Sequence, residues 1–200
     1  FCRAGRTAVV TWSYDGWDAC GPDVVVGFDT ETRNAAPDVA AAGVARALVH
    51  GQARGGRLLF KKIDSTMRGP VAAELAAMAR ALPQTTILFT PANPHAGRVV
   101  REGVLLVNGV SVAESEFGRD PVNPVTESSI RGVIPEDAGG RVIALDVATD
   151  EDFTRALMAC ETAGGAWVAV GSGALARVLA NRLGRIAQTG VNPGVRPPLA

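Results

Sequence analysis

Short β-branched apolar runs alternate along this chain with Ala- and Leu-rich stretches, and few architectures accept that order. The runs are Thr7–Trp12, Val24–Phe28, Leu58–Phe60, Thr86–Phe89, Val142–Val147 and Trp167–Val170. Between several of them lie segments with apolar residues at helical spacing: Val39–Leu48, Val71–Leu82, Phe153–Cys160 and Leu175–Leu183. In the clearest, Val71, Leu75, Met78 and Leu82 share one face. Strand, helix, strand, helix predicts an α/β fold, a three-layer sandwich built on a mostly parallel sheet. Boundary residues agree. Pro70 is expected at the first helical position, where its missing N–H is not needed. Thr149 followed by Asp150, Glu151 and Asp152 reads as a helix start with carboxylates at the positive end of the dipole. One segment breaks the alternation. Gly103–Ala113 is two extended runs around Asn108-Gly109, the strongest short hairpin signal, and predicts an inserted β-hairpin.

Composition bounds the partners. The 200 residues are 47% hydrophobic, enough for one good core. Lys+Arg and Asp+Glu both count 20, so there is no basic footprint for nucleic acid. Three cysteines, Cys2, Cys20 and Cys160, and two histidines, His50 and His95, are too few and too scattered for a zinc site or a disulfide framework. That usage favours a reducing compartment and predicts a cytoplasmic protein. No apolar run reaches the ~18 residues of a membrane span, and no signal peptide is evident. The chain starts at Phe1 rather than Met and ends in Val191-Asn-Pro-Gly-Val-Arg-Pro-Pro198. It is therefore expected to be an excised piece, a domain over 1–187 and the start of a linker over 188–200.

Polar residues cluster after the strands. Asp29-Thr30-Glu31-Thr32-Arg33 follows the second run. Lys61-Lys62-Ile63-Asp64-Ser65-Thr66-Met67-Arg68-Gly69 follows the third. Thr90-Pro91-Ala92-Asn93-Pro94-His95-Ala96-Gly97-Arg98 follows the fourth, and Gly171-Ser172-Gly173 the last. In an open α/β sheet such loops share the carboxyl edge, where ligands bind. Arg33, Lys62, Arg68 and Arg98 offer cations, and Arg holds carboxylates in bidentate fashion. Thr30, Thr32, Ser65, Thr66 and Asn93 offer short hydrogen-bonding groups. The N–H groups after Thr66 are expected to open a helix and bind an anion. Asp29 and Asp64 are candidates to orient or deprotonate a hydroxyl. A small, polyhydroxylated anion fits this set.

Structural alternatives stand beside each reading. Asp64, Ser65 or Thr66 alone is also a candidate cap for the following helix, and Asp29–Arg33 reads equally as a solvated turn. Pro91–Pro94 reads as a rigid loop, His95 as an exposed loop residue and His50 as structural. Gly171-Ser-Gly-Ala-Leu-Ala176 matches a loose dinucleotide fingerprint, but no acidic residue stands about 20 positions on. A tight strand-to-helix turn explains its glycines.

Three stretches together resemble the four-carbon acid sugar kinase family. Lys61-Lys-Ile-Asp-Ser-Thr-Met-Arg-Gly69 with Ala73-Glu74-Leu75 is similar to its K-x-D-S-T-L-R-G…E-L signature. Pro91-Ala-Asn-Pro94, Gly97-Arg98 and Gly103 resemble its P-A-x-P…G-R…G segment. Glu114-Ser115 through Phe117, Arg119-Asp120-Pro121 and Pro124-Val-Thr-Glu-Ser128 resemble the next block. Asp29–Arg33 fits a looser T-x-S-R stretch. Gly171-Ser172 fits a G-S-x-G-L-A turn, from which Gly173-Ala174 departs. The resemblance implies the substrate half of a kinase that phosphorylates threonate, erythronate or 3-oxo-tetronate at the terminal hydroxyl with ATP and Mg²⁺. Asp64 would orient the attacking hydroxyl. Arg33, Lys62, Arg68 or Arg98 would hold the carboxylate or offset phosphoryl charge. Ser65, Thr66 and Asn93, with the Gly97 turn, would complete the sugar site. A C-terminal nucleotide-binding domain of the same protein is the implied partner, and the family's opening D-D-x-T-G-A motif is missing. A fragment of this kind is expected to be inactive alone. A binding module without chemistry is the rival reading, and a protein that pairs subunits along the hairpin edge is a third, compatible with the first.

Overall fold

The structure, a computed structural model, describes residues 1–138 and 140–189. Its strands follow the apolar runs. β1 (Ala8–Thr11) pairs in parallel with β2 (Val25–Phe28). A second, four-stranded sheet has the order β3-β9-β4-β8, formed by β3 (Phe60–Lys62), β4 (Thr85–Thr90), β8 (Val142–Ala144) and β9 (Ala166–Gly171). Its pairings are all parallel. A third, antiparallel sheet joins β5 (Arg98–Arg101), β6 (Val104–Val107) and β7 (Val110–Ser111). The expected α/β class with a mainly parallel sheet and a hairpin excursion is what the molecule adopts.

Helix α2 (Pro37–Ala53) packs on α3 (Val71–Ala81), and α4 (Asp150–Ala163) on α5 (Gly173–Thr189). Val71, Leu75 and Met78 of α3 are buried as their spacing requires, with Ile87, Leu88 and Phe89 of β4 in the same core. Phe153 and Leu157 of α4 join that core from the other helix pair. Thr149 caps α4: its hydroxyl accepts from Asp152 N, and the Asp152 side chain takes the Thr149 N–H in return. A single such cap contributes about 1 kcal/mol.

Several boundaries differ from the sequence reading. The third strand is Phe60–Lys62 rather than Leu58–Phe60, so Lys61 and Lys62 lie within it. The fifth predicted run is ordered as a strand only to Ala144. Pro70 stands at the cap position of α3 (φ −81°, ψ 51°), one residue before the first helical residue. The helix expected just after Thr66 therefore starts at Val71, and the N–H groups after Thr66 belong to a turn. The short helix α1 (Tyr14–Asp18) was not predicted. At five residues it has too little periodicity to see, although Ser13 caps it. The hairpin gains a third strand, because β5 pairs along β6. Helix α5 continues through Thr189, two residues into the expected linker. The rest of that linker, 190–200, lies outside the described residues. No helix among the described residues is long and apolar enough to cross a membrane.

Candidate functional site

Strand register decides which loops meet. Lys62 of β3 and Thr90 of β4 both lie opposite Gly171 of β9, so three strands end at one level. The loops that follow are tied to one another. Ser172, wholly buried, donates its hydroxyl to Ala92 O and accepts from Ala174 N, joining the β9 and β4 loops. Gly171 packs against Thr90 O and Leu175, which accounts for the glycine in that turn without a dinucleotide.

Asp64 is the centre of the β3 loop. Its Oδ2 accepts from Thr66 N at 3.0 Å, Thr66 Oγ1 at 2.5 Å and Arg68 Nε at 3.2 Å. Its Oδ1 accepts from Arg68 Nη2 at 3.1 Å and lies 3.7 Å from Arg33 Nη1. Helix α3 has no side-chain cap, so the capping alternative for Asp64, Ser65 and Thr66 is set aside. Two non-glycine residues with positive φ flank this centre, Glu31 at 52° and Met67 at 61°. Met67 is 5% exposed, and its burial holds a conformation that is costly for such a residue.

The cluster closes on itself. Arg68 Nη1 reaches Asp120 Oδ2 at 3.2 Å. Asp120 Oδ1 accepts from Asn123 N at 2.8 Å, and the Asn123 amide donates to Asn34 Oδ1 at 2.7 Å, beside Arg33. Arg68 and Arg98 both lie over the Phe117 ring, 5.1 and 5.5 Å from its centroid. Such contacts contribute about 0.5–1 kcal/mol each. Asn93 and Arg98 exchange backbone hydrogen bonds across the turn that holds Gly97, at 2.7 and 3.1 Å. Gly97 (φ 70°) leaves room for the Asn108 side chain, and its carbonyl accepts from Asn108 N at 2.8 Å. The hairpin tip thus braces the loop that carries Arg98.

The charges are unequally committed. Burial pushes Asp64 up, but hydrogen bonds from Arg68 and from the Thr66 side chain and backbone outweigh it and hold the carboxyl at about 2. Burial lowers Lys62, Asp64 opposes that, and Lys61 and Arg33 add to it; its ammonium donates to Ile63 O at 2.7 Å. Arg68 is shared between Asp64 and Asp120. Arg98 has no carboxylate partner among the described residues, and its Nε is buried without a hydrogen bond. The Ser65 hydroxyl and the Asn93 side-chain amide also have no partner among the described residues.

Because Asp64 titrates below its ordinary value of 3.8, its stabilisation is complete above that value and is lost as pH falls toward 2. After allowance for solvent screening the loss is about 1–2 kcal/mol. Urea unfolding at pH 5 and pH 2.5 should show wild type losing that much more than Asp64→Asn over the same interval.

Arg33, Lys62, Thr66 and Arg68 gather around Asp64, and Arg98 shares the Phe117 ring with Arg68, while others of the polar residues take local roles. Asp29 accepts from Glu31 N in a local turn, as the solvated reading had it. Thr32 turns inward to the buried Glu74 rather than outward. His95 is exposed and pairs with Asp150 at 3.1 Å, and His50 packs on Tyr14 and Trp17 with Asp18 on its Nε2. Glu74, Phe117 and Asp120 were not singled out individually. Their only signal was membership of the family-like blocks, because the side chains they meet lie 13 to 52 residues away in sequence. Among the described residues no group of three or more His, Cys, Asp or Glu is placed to hold a metal ion. By themselves these residues supply no such cluster for Mg²⁺.

The family model for the sugar-binding N-terminal domain matches residues 1–142. The D-threonate kinase of Bordetella bronchiseptica is 37% identical over 175 residues, covering 78% of this chain and 43% of that protein. The D-erythronate kinase of Heliobacterium modesticaldum is 28% identical over 186 residues, covering 78% and 42%. The chain therefore spans less than half the length of these curated relatives. A crystal structure of a domain of unknown function from Bordetella bronchiseptica, a domain-swapped dimer with bound citrate, superposes with a TM-score of 0.79 at 31% identity. It covers 94% of this chain and 53% of that one. This chain belongs to the four-carbon acid sugar kinase family, as its sugar-binding N-terminal domain.

Proposed function

We propose that this chain is the acid-sugar-binding half of an ATP-dependent kinase acting on the terminal hydroxyl of a four-carbon sugar acid of the threonate, erythronate or 3-oxo-tetronate type. The observation that carries the reading is the set of groups in the loops after the strands that have no hydrogen-bond or carboxylate partner among the described residues. These are the Arg98 guanidinium, the Ser65 hydroxyl and the Asn93 amide. A cation beside short hydrogen-bonding groups suits a hydroxylated carboxylate. Arg98 would take the carboxylate, and Ser65, Thr66 and Asn93 the hydroxyls, with Gly97 shaping the turn between them. Arg33, 3.7 Å from Asp64, would stand with Arg98 at the sugar acid, and Lys62 would face the phosphoryl group.

Asp64 holds Arg68, Arg33 and Thr66 in place and so orients the attacking hydroxyl through fixed partners. A carboxyl held at about 2 is too weak a base to take a hydroxyl proton at neutral pH. Phosphoryl transfer needs mainly such positioning and charge stabilisation. ATP and Mg²⁺ would be bound largely by a C-terminal nucleotide-binding domain of the longer protein, and the fragment alone would be inactive. The names of the relatives support a kinase role for the longer protein, and the domain-swapped dimer of the Bordetella relative supports a homodimer; a cytoplasmic location is part of the same proposal.

The test is calorimetric titration of the longer protein with D-threonate, D-erythronate and 3-oxo-tetronate, followed by coupled ADP release with Mg·ATP. One sugar acid should bind and turn over, and Arg98→Met should weaken that binding about 10–100-fold, as for one charge-assisted hydrogen-bond pair. Binding without ADP release would instead favour a module that holds the sugar acid and does no chemistry. No binding by any of the three would overturn the reading.

A further inference from the structure

Glu74 is a carboxylate inside the apolar core face of α3, beside Leu75 and Met78, and its residue is 8% exposed. Each oxygen has its own donor. Oε1 accepts from Thr32 Oγ1 at 2.7 Å, and Oε2 accepts from Lys61 Nζ at 2.8 Å. Thr32 belongs to the β2 loop and Lys61 to β3, so one side chain of α3 fixes both relative to each other. Thr32 is held further by Thr30 Oγ1 at 2.8 Å, and its neighbour Glu31 has φ 52°. The next residue is Arg33, whose backbone lies against Gly69 and whose guanidinium lies 3.7 Å from Asp64. A buried ion pair adds little net stability over an apolar side chain of similar size. What an apolar residue would lose here is the fixed place of Thr32.

We infer that Glu74 is a positioning residue for the sugar-acid site, acting through the Thr32 hydroxyl to set Arg33 against Asp64. This rests on the proposed role of Arg33 at that site. Glu74 itself touches no substrate. Lys61 neutralises its charge, so that the carboxylate can sit in the core and still orient a hydroxyl.

Steady-state kinetics of the longer protein with its sugar acid and Mg·ATP test this. Thr32→Val and Glu74→Gln are each expected to raise KM for the sugar acid about tenfold. They should leave kcat and KM for ATP within about threefold. Thr32→Ser should restore the wild-type KM. On an Arg33→Ala background, Thr32→Val should add nothing, because the residue it positions is gone. If Arg33→Ala raises KM but Thr32→Val is additive with it or has no effect, the positioning role is overturned and the site reading stands. If Arg33→Ala leaves KM unchanged, the reading of Arg33 fails and the inference fails with it. Should Glu74→Gln not fold, the Thr32 variants decide alone, since they leave the Glu74–Lys61 pair in place.

Discussion

Asp64→Asn in the longer kinase is expected to cut turnover about 10²–10³-fold, the scale of removing one preorganised electrostatic element from an active site. Its cost in folding should be only about 1–2 kcal/mol, a few degrees in Tm. The asymmetry comes from what the carboxylate does. It collects Arg68 through both oxygens, Thr66 through main chain and side chain, and Arg33 at longer range. An amide of the same shape keeps one acceptor for Thr66. It turns N–H groups toward the Arg68 guanidinium, so the fork is released and two cations lose their common anchor. The hydrophobic core beneath does not depend on that anchor, since Ile63, Met67, Val71 and Leu75 are buried independently of it. Turnover and thermal unfolding measured on the same preparation separate the two effects. Turnover within threefold of wild type would remove Asp64 from the mechanism, and a fall of 15 °C or more would make its role structural. Because Asp64 titrates near 2, the acid limb of the kcat/KM profile should keep its position in the variant.

The architecture was legible because it rests on local periodicity. The apolar stripe of α3, the capping residues before α4 and the Asn108-Gly109 turn all act within a few residues, and each appears where expected. The site was legible in part. That polar loops gather at the carboxyl edge follows from parallel strands ending in register, and Lys62, Thr90 and Gly171 do so. What the polar groups do to one another depends on distant partners. Nothing local shows that Asp120 would reach Arg68 across 52 positions, or that Thr32 would turn from a ligand toward Glu74 across 42. Lys61 reads as a loop cation beside Lys62, yet strand alternation sends the two to different partners, Glu74 and Ile63 O. The one-residue shift at the start of α3 has the same origin. Pro70 looks like a first helical residue, but Gly69 must first carry the chain past Arg33 at φ 92°, and the helix starts only afterwards.

That crossing carries the second large effect. Gly69→Ala is expected to destabilise the protein by about 2–4 kcal/mol and to weaken sugar-acid binding at least about 100-fold. An added Cβ would stand 2.6 Å from Arg33 O and 3.2 Å from Arg33 Cα, and the obstacle is backbone that cannot swing aside. The β2 loop must then retreat, and it takes with it the Arg33 guanidinium and the Asn34 amide that completes the ring through Asn123 and Asp120. Positive φ alone explains only part of the cost. Gly55 also has positive φ, 69°, but an added Cβ there meets nothing within 4 Å. Gly55→Ala should therefore cost about 1 kcal/mol and leave binding unchanged. Urea unfolding and titration calorimetry on the two variants measure the difference. If Gly69→Ala matches Gly55→Ala in both, the loops do not depend on each other's position. The site would then be a set of independent contacts rather than one interlocked frame.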